Sequence, residues 1–321
     1  MAKPDPRLAQ ALALVETGSK AEGILLLNQL AALNEPGALH VLAEWKWQGG
    51  LVPQALPQAR DLYRRAGEAG NAAAAAAYTN LLGCGIAGPR DWPRALKRLG
   101  DEARRDPKRK RALSLVQTMK LDALGDPRAL PEARELSHTP DVRLFPRLLS
   151  GAECDYLSET AASGFQPSVV VDVRTGRDYA DPIRTSDGST FHWLIEDAAV
   201  HALNRRLAAA SGTAYEQGEP LQILRYRPGQ QYRNHMDFIP GAENPRVLTV
   251  LVYLNEGYQG GETCFVKTGL KVKGRKGDAL VFRNSGPDRR ADPMSEHAGL
   301  PVTSGAKLLA SRWICAGRHV A

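Results

Sequence analysis

Cysteine is scarce in this sequence, and its placement excludes a disulfide-stabilised scaffold. The 321 residues include four cysteines, no two of which form a CxxC pair. Small secreted proteins that depend on disulfides carry denser and more closely spaced cysteines. The four positions lie far apart in the chain: Cys84, Cys154, Cys264 and Cys315. We therefore expect free thiols and a reducing, cytoplasmic environment.

Long apolar runs are also missing. No stretch approaches the roughly 20 apolar residues that a membrane-spanning helix requires. The start, MAKPDPRLAQALALVETGSK, lacks the basic head, apolar centre and small-residue cleavage site of a secretory signal. The sequence thus predicts a cytoplasmic protein that does not engage a membrane.

Aromatic residues make up only 6% of the chain, which weakens its net charge of +7 as an indication of nucleic-acid binding. The densest basic stretch runs from Arg104 to Arg111 and has no aromatic residue beside it that could stack on a base. Acidic residues are interleaved with it: Asp101, Glu102 and Asp106. We expect this stretch to be a solvated helix end, and we disfavour nucleic acid as a partner.

The two halves of the chain differ in composition, which predicts two domains. Residues 1–136 are rich in Ala, Leu and Arg, whereas residues 137–321 are rich in Val, Gly, Tyr and Phe. The length is sufficient for two domains with a core in each. We expect an α+β protein with an all-α helical-repeat domain at 1–136 and a β-rich domain at 137–321.

The first half carries a repeat of 36 to 38 residues. Alanines recur at this spacing: Ala21, Ala59, Ala95 and Ala133. Prolines lie two residues before the last three: Pro57, Pro93 and Pro131. Proline is tolerated in the first turn of a helix, and a glycine turn precedes each one. The pattern indicates helix, turn, helix units with a period near that of tetratricopeptide arrays. An ordinary helical bundle with chance spacing is the alternative.

Segments such as QARDLYRRAGEAGNAAAAAAYTNLLGCGIAGPRDWPRALKRL resemble the Sel-one-like branch of the tetratricopeptide family. Such arrays share a core between neighbouring units and leave an extended face free for another chain. The resemblance implies that the repeats bind a protein or peptide, and we expect them to engage the substrate. The competing expectation is that the repeats only stabilise the second domain.

The second half reads as a series of short strands. Thr139-Pro140 disfavours a helix, a strand-like stretch begins at Val142, and residues 152–162 read as a helix. Further on, five stretches favour strands: Leu221–Arg227, Val247–Leu254, Glu262–Val266, Ala279–Phe282 and Lys307–Cys315. Gly- and Asn-rich turns separate them. This spacing is typical of a double-sheet jelly roll with flanking helices.

Within these strands, His235 and Asp237 form a His-x-Asp pair. Because side chains alternate along a strand, two residues at this spacing point to the same side and could hold one metal ion. His297 could supply a third ligand. Two histidines and one carboxylate make the facial triad of non-heme iron(II) oxygenases, which leaves coordination positions open for a 2-oxo acid and dioxygen. The pair alone is a weak indication, since such dipeptides also arise by chance.

Ten residues after His297, Lys307 opens a predicted strand. A fixed cation at such a position could pair with the distal carboxylate of 2-oxoglutarate. A dicarboxylate that enters a half-buried barrel needs a partner for its second charge, because an unpaired buried carboxylate is costly. Lys307 therefore strengthens the interpretation of the triad.

The stretch ILRYRPGQQYRNHMDF resembles the Tyr-x-x-Gly-Gln-x-Tyr-x-x-His-x-Asp segment of the collagen- and plant-type prolyl 4-hydroxylases. RVLTVLVYLN, GGET, GDALVF and SEHAGLPVTSGAK follow in the order that this family has, and the likeness runs from about residue 140 onward. The resemblance implies a distorted double-stranded β-helix and hydroxylation of a C–H bond with decarboxylation of 2-oxoglutarate. It further implies Fe(II) as cofactor, dioxygen as second co-substrate, and ascorbate as an additional reductant.

Residue by residue, the resemblance makes His235, Asp237 and His297 the iron ligands. It makes Lys307 the anchor of the 2-oxoglutarate tail. It makes Thr263 a hydrogen-bond partner at that tail and Tyr226 a tyrosine of the same pocket. Positions that line the peptide groove in the family are matched by Arg246, Trp313 and Arg184, the last within a mobile groove-side segment. Core packing is the alternative for Tyr226 and Trp313, and a surface charge is the alternative for Arg246.

The expected activity is hydroxylation, with prolyl residues of a protein or peptide as the substrate class. Asp237 disfavours halogenation, since halogenating relatives have a small residue there, and Arg312 after Lys307 does not match the paired arginines of nucleic-acid demethylases. Another amino acid or a small molecule is the alternative substrate. A further alternative is an adaptor protein with an inactive oxygenase half, although all three ligands and Lys307 are present.

Overall fold

The computed structural model describes residues 5–171, 178–180, 183–286 and 288–319. These residues divide into two units. One ends at Gln117 and also includes Trp193–His201; the other begins at Thr118 and contains the sheets. None of the helices in the described ranges is long and apolar enough to cross a membrane.

The first unit is an array of helices, as the sequence predicted. Within the described part, seven helices follow one another before the first strand: α1 (Pro6–Glu16), α2 (Lys20–Ala32), α3 (Pro36–Gln48), α4 (Leu56–Glu68), α5 (Ala72–Cys84), α6 (Trp92–Glu102) and α7 (Pro107–Thr118). Consecutive helices from α1 to α6 pack against one another. Pro57 and Pro93 lie in the first turns of α4 and α6, where a missing N–H costs no hydrogen bond.

The proline spacing predicted that Pro131, like Pro57 and Pro93, lies in the first turn of a helix, and this prediction is wrong. Residues 131–133 are irregular, and Arg134–His138 forms strand β1. Only eight residues lie between Pro131 and Pro140, too few for another pair of helices. Leu136 instead packs against the core of the second unit while β1 pairs with the strand that follows. Tertiary packing here overrides the repeat spacing.

The basic stretch at residues 104–111 is solvated as expected, except at one position. Arg109 is buried in α7, where its Nε donates to Glu102 Oε2 over 2.7 Å and its Nη1 donates to Asn80 Oδ1 over 2.9 Å. Asn80 in turn donates from Nδ2 to the carbonyl of Leu194 over 2.9 Å. This network connects α5, α6 and α7 with the segment Trp193–His201.

The second unit contains sixteen strands in its described part. Before the first metal-ligand candidate the elements are β1 (Arg134–His138), β2 (Asp141–Phe145), α8 (Gly151–Ala161), β3 (Gln166–Pro167), β4 (Val169–Val171), β5 (Asp178–Ala180), β6 (Asp187–Phe191), α9 (Ala198–Ser211) and β7 (Leu221–Tyr226). The remaining strands are β8 (Tyr232–His235), β9 (Arg246–Tyr253), β10 (Gln259–Gly260), β11 (Thr263–Phe265), β12 (Lys271–Val272), β13 (Ala279–Arg283), β14 (His297–Gly299), β15 (Val302–Ser304) and β16 (Lys307–Cys315).

Two antiparallel sheets form the jelly roll that the sequence predicted. The larger has the strand order β1-β2-β13-β9-β16-β7-β6-β3, and the smaller has the order β12-β11-β14-β8. Side chains from both sheets form one apolar core, with Tyr253 and Phe282 from the larger sheet and Phe265 and Val272 from the smaller. Face-to-face packing of two such sheets buries the inward positions of alternate residues.

Helix α8 and the part of α9 from Ala202 onward flank the larger sheet. The Cys154 thiol of α8 lies 4.0 Å from the carbonyl oxygen of Tyr253 in β9. The buried guanidinium of Arg312 in β16 donates from Nη1 to the carbonyl of Asn204 in α9 over 2.8 Å. The larger sheet is therefore covered by helices on one face and faces the smaller sheet with the other.

The five strands predicted beyond residue 220 agree with β7, β9, β11, β13 and β16 to within a residue at each end. Several strands of two or three residues, such as β10 and β12, were not predicted. A strand this short shows no measurable alternation in the sequence, so only its pairing with a neighbour defines it.

Candidate active site

The two histidines singled out in the sequence are neighbours in the smaller sheet. Strand β14 pairs with β8 so that His297 lies directly opposite His235, and Asp237 follows β8. His235 Nε2 is 3.7 Å from Asp237 Oδ1, and His297 Nε2 is 3.7 Å from Asp237 Oδ2. The three candidate ligand atoms all lie within 4.8 Å of one another. In the described part of the chain, no other group of His, Cys, Asp and Glu meets this description.

Both imidazoles have their outer nitrogen fixed by the backbone. His235 Nδ1 is 2.7 Å from the carbonyl oxygen of Arg233, and His297 Nδ1 is 2.9 Å from that of Ser295. A carbonyl oxygen only accepts, so each Nδ1 carries a proton, and the neutral imidazole then has its lone pair on Nε2. These lone pairs lie beside Asp237, as metal ligation requires.

The charge state of the cluster also suits a divalent cation. Burial, together with the nearby imidazole of His297, lowers the pKa of His235 to about 4. Burial would raise the pKa of Asp237, but the two histidines and a hydrogen bond from Thr249 outweigh it, and the pKa lies below its usual value. At neutral pH His235 is therefore neutral and the carboxylate is ionised. Two nitrogens and one oxygen are a donor set that fits Fe(II).

Aromatic rings restrain the two imidazoles further. Tyr232 stacks on His235 with ring centroids 3.4 Å apart, and Phe282 meets His297 edge-on at 4.7 Å. Neither ring was singled out in the sequence. Tyr232 stands in the same resemblance segment, three residues before His235, but nothing in the sequence predicts that its ring stacks on the imidazole.

The sequence also did not single out the two residues that support Asp237. Thr249 of β9 donates its hydroxyl proton to Asp237 Oδ2 over 2.6 Å. Asn284, just after β13, donates from Nδ2 to Thr249 Oγ1 over 2.8 Å. Thr249 is a polar residue at an inward position of the largely apolar strand RVLTVLVY. Because a buried hydroxyl needs a hydrogen-bond partner, this pattern could have identified Thr249 from the sequence.

Lys307 lies in the same cavity as the triad. It is 3% exposed, and its Nζ donates to the carbonyl of Gly261 over 2.7 Å. Among the described residues no carboxylate oxygen lies within 4.0 Å of this ammonium. Burial lowers the pKa of Lys307 to about 8. A buried cation without an anion beside it is an arrangement that a carboxylate-bearing ligand would complete.

Thr263 and Tyr226 line this cavity as well. Tyr226 of β7 lies directly opposite Lys307 of β16, with its ring centroid 5.6 Å from Nζ. The Thr263 hydroxyl is 3.3 Å from the hydroxyl of Tyr253, whose ring is also 5.6 Å from the ammonium. The sequence did not single out Tyr253. Tyr253 is buried at an inward position of β9, and its ring lies at the Lys307 end of the cavity.

The three residues matched to the peptide groove are not equivalent. Trp313 lines the cavity and is buried, while its Nε1 has no hydrogen-bond partner among the described residues. Arg246 stacks on the Trp313 ring at 3.9 Å and donates from Nε to Glu219 Oε1 over 2.5 Å. It is therefore neither a free surface cation nor part of the cavity lining.

Arg184 lies beside the first histidine strand. Its Nη1 donates to Gln222 Oε1 over 3.2 Å, and its guanidinium is 5.5 Å from the Tyr232 ring. The neighbouring Thr185 hydroxyl donates to the carbonyl of Gln231 over 3.2 Å, and the backbone of Thr185 donates to the same oxygen. This contact connects the segment at 183–186 to the approach to β8.

Comparison with solved structures returned two kinds of neighbour. A viral collagen prolyl hydroxylase from Paramecium Bursaria Chlorella virus-1, in complex with 2-oxoglutarate, shows 30% sequence identity over 55% of this chain and 96% of that one, with a TM-score of 0.42. A Sel1 repeat protein from Oxalobacter formigenes shows 20% identity over 34% of this chain and 85% of that one, with a TM-score of 0.32.

Sequence comparison is more decisive. The 2OG-Fe(II) oxygenase superfamily model matches residues 221–317. Prolyl 4-hydroxylase 1 of Arabidopsis thaliana is 36% identical over 198 residues, which are 56% of this chain and 70% of that protein. Probable prolyl 4-hydroxylase 6 of the same plant is 37% identical over 204 residues, 56% of this chain and 70% of that protein. The chain belongs to the prolyl 4-hydroxylase family of the 2OG-Fe(II) oxygenases, and it is a 2-oxoglutarate-dependent dioxygenase.

Proposed function

We propose that this dioxygenase hydroxylates a prolyl residue of a protein or peptide. The observation that carries the proposal is the convergence of His235, Asp237 and His297 in a cavity that also holds the buried ammonium of Lys307. The choice of proline is supported by the Arabidopsis relatives, which are named as prolyl 4-hydroxylases.

In this proposal His235, Asp237 and His297 hold Fe(II) through Nε2, one carboxylate oxygen and Nε2. The Nδ1 hydrogen bonds to backbone carbonyls keep both imidazoles in the ligating tautomer. With 2-oxoglutarate and dioxygen, the bound iron supplies the oxidant that converts C–H to C–OH, while the co-substrate is decarboxylated to succinate. The protein's part is to bind, orient and shield the reactants.

Lys307 binds the distal carboxylate of 2-oxoglutarate, and Thr263 and Tyr226 complete that end of the cavity. The ammonium is already fixed by the Gly261 carbonyl, so little side-chain freedom is lost on binding. Apolar walls from Leu224, Leu251 and Leu309 exclude water between this end and the metal ligands. A charge-assisted bond in such a dry pocket is stronger than one at the surface.

Trp313, Arg246 and Arg184 are assigned to the substrate side. The Trp313 indole lines the cavity with its apolar ring, and its N–H has no hydrogen-bond partner among the described residues. Arg246 supports that ring by stacking, and its ion pair with Glu219 holds the guanidinium in place. Arg184 lies over Tyr232 beside the His235 strand, where it could pair with a peptide carbonyl or carboxylate.

We also assign residues 1–136 to a repeat domain that engages the protein substrate and residues 137–321 to the catalytic domain. The regular helical array supports this division of labour, because stacked helix pairs offer an extended surface to a second chain. We also propose a cytoplasmic location and stimulation of the activity by ascorbate.

The test is hydroxylation of a proline-containing peptide by the full chain supplied with Fe(II), 2-oxoglutarate and dioxygen, with and without ascorbate. Mass spectrometry should show the gain of one oxygen atom, located on proline by fragmentation. A matched peptide with alanine in place of proline should remain unmodified. Oxygen incorporation at another residue would replace the proline assignment by a different amino-acid substrate. Failure to decarboxylate 2-oxoglutarate at all would instead favour the adaptor alternative.

A further inference from the structure

A buried chain of two side chains ends on one oxygen of Asp237. Thr249 is 1% exposed and Asn284 is 0% exposed, and they connect β9 and the end of β13 to the candidate metal cluster. The backbone of Asn284 is fixed from both sides. Its N–H donates to the carbonyl of Val247 over 2.9 Å, and its carbonyl accepts from the N–H of Asp292 over 3.0 Å. The backbone position of Asn284, from which the two hydrogen bonds to Thr249 and Asp237 start, is therefore fixed.

The direction of the hydrogen bonds in this chain is fixed by chemistry. An ionised carboxylate only accepts, so the single proton of the Thr249 hydroxyl must be directed at Asp237. Thr249 Oγ1 can then only accept from its other neighbour, and Asn284 must present its Nδ2 rather than its Oδ1. Each hydrogen bond determines the direction of the next one. Together, the two hydrogen bonds stabilise one orientation of the Asp237 carboxylate.

Apolar packing alone gives no reason for threonine at this position. Thr249 lies at an inward position of β9, flanked by Leu248 and Val250, and faces Phe282 and Trp313 on the neighbouring strands. Valine would fill the same volume without the cost of burying a hydroxyl group. The hydroxyl is explained by what it does for Asp237.

We propose that Thr249 and Asn284 are positioning residues that hold the Asp237 carboxylate so that it offers a single oxygen to the metal between His235 and His297. The hydrogen bond occupies Oδ2 from the side of the larger sheet and restrains rotation about the Cβ–Cγ bond. Without it the carboxylate is free to turn and to ligate through both oxygens. This inference rests on the proposed metal site.

Cobalt(II) titration of the full chain, followed by visible absorption, tests the inference without turnover. Thr249→Val should weaken Co(II) binding about 10- to 100-fold, as loss of a partner to a metal ligand commonly does. It should also lower the intensity of the absorption bands, because a second carboxylate oxygen raises the coordination number. Thr249→Ser keeps the hydroxyl and should retain both the affinity and the spectrum.

Asn284→Ala provides a second variant that leaves Thr249 in place. It should weaken Co(II) binding by less than Thr249→Val does, since the threonine hydroxyl can still reach Asp237. In the Thr249→Val background it should cause no further loss of affinity, because the two residues act through one chain. Additive losses would overturn the inference even if one single variant folds poorly.

Asp237→Ala separates the inference from the site on which it rests. If this variant binds Co(II) as tightly as the unmodified protein, the metal site itself is misassigned. If Asp237→Ala loses Co(II) binding while Thr249→Val keeps both affinity and spectrum, the metal site stands and the positioning role is wrong. Thermal melting of each variant shows whether a loss of affinity follows from a loss of folded protein.

Discussion

Lys307 shows at the scale of one residue how burial creates a need for a ligand. Its ammonium is 3% exposed, and its hydrogen bond to the Gly261 carbonyl does not neutralise the charge. The sequence predicted the cation from its spacing after His297, but only burial explains why a carboxylate should bind there strongly. Two predictions follow from this environment.

Lys307→Ala should raise the KM for 2-oxoglutarate strongly, since removing one partner of a buried charge pair costs on the order of 2–5 kcal/mol. Lys307→Arg should retain part of the affinity, because its charge remains but its planar fork fits a pocket shaped for an ammonium poorly. Steady-state succinate formation measures both. An unchanged KM in the alanine variant would show that another cation binds the co-substrate.

The affinity for 2-oxoglutarate should fall at alkaline pH. Burial lowers the pKa of Lys307 to about 8 in the free protein, and a bound carboxylate would raise it again. Well below pH 8, Lys307 is protonated in both the free and the bound protein, so its titration does not change the affinity for 2-oxoglutarate. Above that pH the dissociation constant should rise by about tenfold per unit, because each binding event must then take up a proton.

Calorimetric binding to Mn(II)-loaded protein between about pH 7 and pH 9 would measure this dependence. Lys307→Arg is the matched control, because arginine stays protonated throughout this range. The affinity of this variant for 2-oxoglutarate should therefore not vary with pH. A flat profile for the unmodified protein would mean that Lys307 keeps its proton before the co-substrate binds.

The three candidate ligands can be tested one at a time. His235→Ala, Asp237→Ala and His297→Ala should each abolish turnover, because loss of one of three ligands weakens metal binding and misplaces the open positions. Iron titration followed by a succinate assay gives the result. His201→Ala is a useful comparison for the assignment, since this buried histidine pairs with Glu196 and lies outside the cluster. Turnover at the wild-type rate in His297→Ala would contradict the triad.

At the scale of secondary-structure elements, strand register brings the site together. His235 and His297 are 62 residues apart in sequence but lie directly opposite each other on β8 and β14. Lys307 and Tyr226 are likewise direct partners on β16 and β7. Because side chains alternate, these registers send all four side chains towards the space between the two sheets.

Polar contacts between helices should matter in the helical unit too. Asn80 is 6% exposed and joins the Arg109 guanidinium to the Leu194 carbonyl. Asn80→Ala should lower the free energy of unfolding by about 1–3 kcal/mol, because it leaves a buried donor and a buried acceptor without a partner. Asn28→Ala on the exposed side of α2 is the matched control and should have little effect. Thermal or urea denaturation that fails to distinguish the two variants would contradict this role.

At the scale of the whole molecule, the boundary between the two units differs from the boundary at residue 136 that the composition predicted. Trp193–His201 belongs to the helical unit although it lies within the range predicted for the catalytic domain. A chain truncated near Ser137 would therefore keep Leu194 but lose Asn80, to which it is bonded. Substrate recruitment by the repeats is better tested by surface substitutions in the full chain.

A cleft in the helical unit offers such a surface. It is lined by Pro57, Tyr78, Leu82 and Arg94, and the Arg94 side chain is exposed. If the repeats bind the substrate protein there, Arg94→Glu should lower kcat/KM for the intact protein substrate and leave that for a short proline peptide unchanged. Lys97→Glu, exposed one turn further along α6, is the matched control. Equal kinetics of both variants on both substrates would argue against recruitment through this cleft.

The kind of chemistry and most of the architecture could be predicted from the amino-acid sequence alone. His235, Asp237 and His297 are identifiable as candidate ligands, and Lys307 as a candidate co-substrate anchor, because they stand in sequence segments that resemble one family of iron oxygenases. The longer strands are identifiable from their apolar residue patterns, and the helical array from the spacing of its alanines and prolines. These properties are local, and a single chain displays them without reference to what it packs against.

The other residues that support the proposed site became identifiable in the folded structure. Thr249 and Asn284 are ordinary polar residues in sequence, and the supporting role of each depends on a partner that folding brings within hydrogen-bond distance. Pro131 fits the helical repeat, yet the strand after it pairs with β2 because that pairing buries Leu136. The physical reason is the same in both cases: hydrogen bonds and apolar contacts between distant segments outweigh local preference, and the sequence does not state which segments meet.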